Sequence, residues 1–150
     1  MAGVLGQTVA APNDYAPHVL ERIDRQVGRD GIKDPSENVS SGYDVWHCYE
    51  LSWVLPDDTV TFTTGALIIP AESPFTVESK SLKLYLNSLN VHIFSDDEGA
   101  IACIEKDLSE LTQSQVRLVR VDPGDLQAIS SKLDDDAVRV GDLEGTVAFR

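Results

Sequence analysis

The sequence predicts an α+β fold, an antiparallel β-sheet backed by two helices, and three observations carry that reading. Tyr43 to Val54 (YDVWHCYELSWV) and Thr59 to Ile69 (TVTFTTGALII) are rich in aromatic and β-branched residues and flank the turn Leu55-Pro-Asp-Asp58, as the two strands of a hairpin do. Beyond them the apolar spacing turns helical: Leu82, Tyr85, Leu86 and Leu89 recur at i, i+3, i+4 and i+7 within Ser81 to His92. The pattern repeats from Asp97 to Leu111, with Ile101, Ile104, Leu108 and Leu111 on one stripe.

Met1 to Val39 is rich in Gly, Pro, Asn, Asp and charge and reads as an extended N-terminal arm. One short helix is expected around His18 to Gln26, with Asp14 as a loose cap. Ser40-Ser-Gly42 then opens a single module over residues 40–150. In its first strand, strict alternation places Val45, His47, Tyr49 and Leu51 on one face and Asp44, Trp46, Cys48 and Glu50 on the other. Four threonines in the partner run favour extension over helix. Pro70 to Thr76 reads as a loop, Val116, Leu118 and Val121 as a third strand, and Val138, Val140 and Val147 as a last one. So small a sheet leaves open edges, which predicts a homo-oligomer or a second module to cover them.

Length, composition and charge exclude several function classes. A chain of 150 residues with 42% apolar content can bury one core. Twenty-five acids against twelve bases give a net charge of −13, which repels phosphate backbones and anionic membranes and argues against direct nucleic-acid binding. The first twenty residues lack a basic segment followed by an apolar one, and no apolar run reaches the length of a membrane span. Cys48 and Cys103 lie far apart without CxxC spacing, which points to reduced thiols and a cytoplasmic protein. His18, His47 and His92 show no metal-ligand spacing, and Asp134-Asp-Asp136 reads as a solvated charge run, so no metal site is expected.

The stretch Val77-Glu-Ser-Lys-Ser-Leu-Lys-Leu-Tyr85 carries the chemistry. It leaves a proline-containing loop and enters a helix, with Ser79 or Ser81 placed to cap it. Free N–H groups and the positive end of the dipole at such a start suit an anionic ligand. Lys80 and Lys83, three apart, share a helical face. Cys48 has no basic neighbour on its own strand face to lower its pKa and reads as structural, and Cys103 reads as core.

This segment resembles the signature of the NADPH-dependent 7-cyano-7-deazaguanine reductases of queuosine biosynthesis. That signature runs Glu, Ser or Leu, Lys, Ser or Ala, an apolar residue, Lys, Leu or Tyr, and an aromatic, and Glu78 through Tyr85 fit every position. Tyr43-Asp-Val-Trp46 and Tyr49-Glu-Leu-Ser-Trp53 resemble the preceding strand of the two-module subfamily, and Leu86-Asn-Ser-Leu-Asn90 its continuation. Leu5-Gly6 and Arg25 to Arg29 resemble its arm. The resemblance covers Leu5 to about Val121.

It implies the tunnelling fold, in which an antiparallel sheet backed by two helices closes into barrels with other modules. It also implies that Glu78, with the backbone of Val77 and Ser79, binds the deazapurine substrate, and that Ser79, Lys80 and Lys83 bind NADPH. In the two-module subfamily a cysteine attacks the nitrile to give a thioimide and a downstream aspartate delivers protons. Both lie in the C-terminal half, as does a second substrate-binding glutamate beside a histidine. The expectation is therefore a module that supplies binding groups and no catalytic residue, with those supplied by a C-terminal half or partner chain. The alternative is a non-catalytic tunnelling-fold protein that keeps a purine pocket for binding or assembly.

Overall fold

The computed structural model of the chain describes residues 8, 10–31 and 41–121. Its centre is an antiparallel three-stranded sheet with order β2-β3-β5, made of β2 (Tyr43–Val54), β3 (Val60–Pro70) and β5 (Arg117–Arg120). A second, two-stranded sheet joins β1 (Arg22–Asp24) to β4 (Phe75–Val77). Helices α2 (Ser79–Ser88) and α3 (Asp97–Thr112) follow β4, and a short α1 (Arg25–Arg29) follows β1. Among the described residues no helix is long and apolar enough to cross a membrane.

The hairpin forms where the turn chemistry places it. The Asp58 N–H donates to the Leu55 carbonyl at 2.9 Å, and Asp58 takes a left-handed φ of 64°, which aspartate tolerates better than most residues. Tyr43 pairs with Pro70 and Val54 with Val60. The pairing is interrupted between Cys48 and Leu51, which lie opposite Gly65 and Thr63, so β2 carries one extra residue there. That bulge corrects the strict alternation. Leu51, expected on the face of His47 and Tyr49, lies with Trp53 and Cys48 on the inner face, and all three belong to the core. Gly65 allows the close approach at this point: a Cβ there would come within 3.0 Å of both the Val119 carbonyl oxygen and Leu118 Cδ1.

The core lies between the sheet and the two longer helices, with Trp53, Leu67, Ile69, Tyr85, Ile104 and Leu108 at 0% exposure. On α3 the buried stripe is Ala100, Ile104, Leu108 and Thr112 at four-residue spacing, while Ile101 and Leu111 are only partly buried. Asp96 caps α3 by accepting the Gly99 N–H, and Asp97 and Glu98 follow in the first turn, where the helix dipole favours acids. Asp97 also receives the indole N–H of buried Trp53 at 2.9 Å and the Thr61 hydroxyl at 2.8 Å. One carboxylate thus ties α3 to both long strands. Cys103, expected in the core, is half-buried at its margin, with its sulfur 3.3 Å from the Tyr15 hydroxyl.

The arm differs most from expectation. In place of a helix over His18 to Gln26 there is a single 3-10 turn at Pro17–Val19, then strand β1, then α1 capped by Asp24 rather than Asp14. Asp14 instead bonds its own neighbour's N–H and His92. The loop predicted over Pro70 to Thr76 contains the start of β4. The expected last strand around Val138 to Val147, the Asp134–Asp136 run and the module boundary at residue 40 lie outside the described residues.

Candidate functional site

The motif occupies the junction of β4 and α2. Val77 ends β4 at 1% exposure, and the next residue, Glu78, is the N-cap of α2. Neither serine caps the helix, which corrects the sequence expectation. Glu78 Oε1 accepts the Lys80 N–H at 2.9 Å, Glu78 Oε2 accepts the Ser81 N–H at 2.8 Å, and the Ser79 hydroxyl lies 3.3 Å from Oε1. A longer carboxylate does here what Ser or Asp does at most helix starts, and it puts a full negative charge against the positive end of the dipole.

This geometry changes what the helix start offers a ligand. Two of the backbone donors expected to receive an anion, those of Lys80 and Ser81, are already taken by Glu78. An anionic group arriving here is met by side chains instead. Glu78 itself is 7% exposed, with both carboxylate oxygens engaged by the helix start.

Ser79 and Lys83 are exposed and open on a groove of about 430 Å³ between α2 and β2, a volume within the usual range for small-molecule sites. Trp46 to Glu50 form its strand wall, and Ser79, Leu82, Lys83, Leu86 and Asn87 its helix wall. The helix wall follows i, i+3, i+4, i+7 and i+8, so one face of α2 builds it. Lys80 lies off that face and is half-buried, so the structure brings Ser79 and Lys83 together and sets Lys80 apart from them. The strand wall consists of five consecutive residues that run up to and into the bulge between Cys48 and Leu51. Sequence alternation could not reveal this wall. Its one legible trace is the phase change from Trp46 and Cys48 to Leu51 and Trp53.

Cys48 lies in this wall, 7% exposed, with its thiol 3.6 Å from the Trp46 carbonyl. Burial pushes that thiol from an ordinary 9.0 up to about 11. At neutral pH it is protonated, unlike a nucleophilic cysteine, whose pKa is lowered by basic neighbours or a helix start.

The family described as "Nitrile reductase, 7-cyano-7-deazaguanine-reductase N-term" matches residues 11–120. The chain belongs to this family. Members of the nitrile-reductase family similar to it include proteins named NADPH-dependent 7-cyano-7-deazaguanine reductase from three organisms. The Acinetobacter baylyi protein is 40% identical over 124 residues, covering 83% of this chain and 45% of that protein. The Psychrobacter cryohalolentis protein is 42% identical over 117 residues, 77% of this chain and 41% of its own length. A Coxiella burnetii protein is 41% identical over 117 residues, 75% and 41% respectively. The match thus spans less than half the length of these curated relatives.

Proposed function

We propose that this chain is the N-terminal module of an NADPH-dependent enzyme that reduces the nitrile of 7-cyano-7-deazaguanine to the aminomethyl group. It contributes binding groups, while the attacking thiol and its proton donor come from a second module, on the same polypeptide or on a partner chain. The observation that carries the reading is the placement of Ser79 and Lys83 on one groove, beside a Glu78 whose carboxylate is held still by the helix it caps.

In this reading Lys83 and the Ser79 hydroxyl, with Lys80 nearby, hold NADPH. An ammonium pairs with phosphate as a point charge, and the hydroxyl can donate or accept. NADPH, when bound, would supply hydride, and two such deliveries, each with a proton, are needed to take the nitrile to the aminomethyl group. Glu78 and the backbone of Val77 and Ser79 meet the guanine-like edge of the substrate, whose N–H groups donate to the carboxylate. The capping bonds fix the carboxylate's orientation before the substrate arrives, so less freedom is lost on binding. The open sheet edges are covered by the second module or by further copies of the chain, in a soluble cytoplasmic assembly. Cys48, neutral and buried, packs the strand wall.

The test mixes the purified chain with NADPH and 7-cyano-7-deazaguanine and follows NADPH absorbance. The chain alone should leave NADPH unoxidised, and a cysteine-bearing second module should restore turnover. Turnover by the chain alone that is abolished by Cys48→Ala overturns the assignment of the nucleophile. Binding of a purine without turnover in any mixture supports the non-catalytic alternative instead.

A further inference from the structure

We infer that the N-terminal arm is a positioning element of the motif site: residues 15–25 hold α2 at both ends and so set where Ser79 and Lys83 stand against the β2 wall, with Ser81 and Tyr15 as the positioning residues. The inference rests on the reading of those two residues as the cofactor contacts. Its structural half stands without it.

A helix of ten residues is marginal by itself, so its position along and about its axis is set by its neighbours. At the start of α2 the neighbour is the arm. The Glu78 N–H donates to the Glu21 carbonyl at 2.8 Å, continuing the pairing of β1 with β4. The Glu21 N–H in turn donates to Ser81 Oγ at 3.0 Å, and that hydroxyl donates to the Glu78 carbonyl at 2.8 Å. Ser81 is 0% exposed, so these bonds form a closed, dry set that joins the arm to the cap residue. Just beyond, the Arg25 N–H donates to the Pro74 carbonyl at 3.1 Å, and its guanidinium reaches Ser73 Oγ and the Asp44 carboxylate. The arm is thereby anchored to β2, the strand that forms the opposite wall of the groove.

At the other end the Ala16 N–H, on a residue 2% exposed, donates to Ser88 Oγ at 3.1 Å. The hydroxyls of Tyr15 and Tyr85 both donate to Asp107 Oδ2, at 2.5 and 2.7 Å, which ties arm, α2 and α3 through one oxygen. The arm thus spans α2 from cap to last turn, on a side that does not line the groove. A shift of about 1 Å in such a helix is enough to misplace contact groups.

The experiment uses the whole chain and two readouts, NADPH affinity by fluorescence titration and amide hydrogen exchange at Lys80, Ser81 and Leu82. Ser81→Ala removes the hydroxyl that links arm to cap and keeps Glu78. It should weaken NADPH binding roughly tenfold and speed exchange at the three amides, with Ile104 and Leu108 still protected. Tyr15→Phe, a milder change far from the groove, should act in the same direction by roughly threefold. Unchanged exchange at the helix start in Ser81→Ala overturns the inference, as does faster exchange with NADPH affinity intact. Ser79→Ala separates the two claims. If it and the wild type respond alike to NADPH, the cofactor reading has failed, and the exchange data alone then decide whether the arm positions α2.

Discussion

Replacing Glu78 by glutamine tests two jobs, the helix cap seen in the structure and the substrate contact proposed above. The carboxylate accepts two helix N–H groups, one on each oxygen, and lies 3.3 Å from the Ser79 hydroxyl. Glutamine keeps one acceptor oxygen and turns an amide NH2 toward the other donor. A buried N–H left without a partner costs ~1–3 kcal/mol, and loss of the charge at the positive end of the dipole adds ~0.3–1. A destabilisation of about 2 kcal/mol is expected, at the upper end of what N-cap substitutions cost. For a chain of this length that lowers Tm by roughly 4–8 °C. The check is a denaturant titration in which the midpoint falls and the slope is unchanged. In the assembled enzyme the same variant should lose 7-cyano-7-deazaguanine affinity by roughly ten- to a hundredfold, because a substrate N–H meets a donor. Glu78→Asp, which keeps the charge and is a good cap, should recover most of the stability. Full stability of Glu78→Gln refutes the capping argument. Lost stability with substrate affinity intact leaves Glu78 as a cap alone and removes it from the substrate site.

Two further outcomes follow from groups away from the groove. Asp97→Ala strands the indole N–H of Trp53, a residue at 0% exposure, and frees Arg120, so it should cost about 2–3 kcal/mol by denaturant titration; Asp97→Asn, which can still accept the indole proton, should cost less. Hydrogen bonds from Thr61 and then Trp53 hold the Asp97 carboxyl below its usual 3.8, so its contribution is present above that pH and is lost as pH falls through its folded value, a loss that Asp97→Asn should remove. At the alkaline end, burial raises the Cys48 thiol from 9.0 to about 11, so the unfolded chain ionises first. Stability should fall between those two pH values by roughly 2–3 kcal/mol, and Cys48→Ala should flatten that part of the profile; an unchanged slope refutes the burial argument. The Tyr15 and Tyr85 hydroxyls, both raised by burial from 10.0, add to the loss from about pH 10 upward, so the Cys48 share is read as the difference between the wild type and Cys48→Ala.

The long elements were legible because side-chain periodicity encodes them. Tyr43–Val54 is an observed strand with the bounds its composition suggests, and the helix starting at Asp97 begins where the acids and the apolar stripe begin. What periodicity could not encode is backbone pairing. β1 is three exposed residues, Arg22, Ile23 and Asp24, with no buried face to leave a pattern, and it exists because its main chain bonds to β4. The Glu78 cap was hidden for a different reason. Glutamate ranks below serine and aspartate as an N-cap, so local propensity pointed at Ser79 or Ser81, and tertiary placement of the arm decided otherwise.

The bulge in β2 shows how such hidden features build a site. A regular strand would turn Cys48 and Tyr49 to opposite sides, leaving at most two or three side chains facing α2. Trp46, His47 and Cys48 keep regular pairing with Leu67, Ala66 and Gly65, the extra residue falls after them, and Leu51 and Trp53 return to the core beyond the groove that Trp46 to Glu50 border. The same packing that makes the wall continuous also buries Cys48 and raises its pKa, so a well-formed strand wall and a reactive thiol at this position exclude each other. In the function proposed above, a thiolate that attacks the nitrile would therefore come from outside these residues, from the second module that completes the groove.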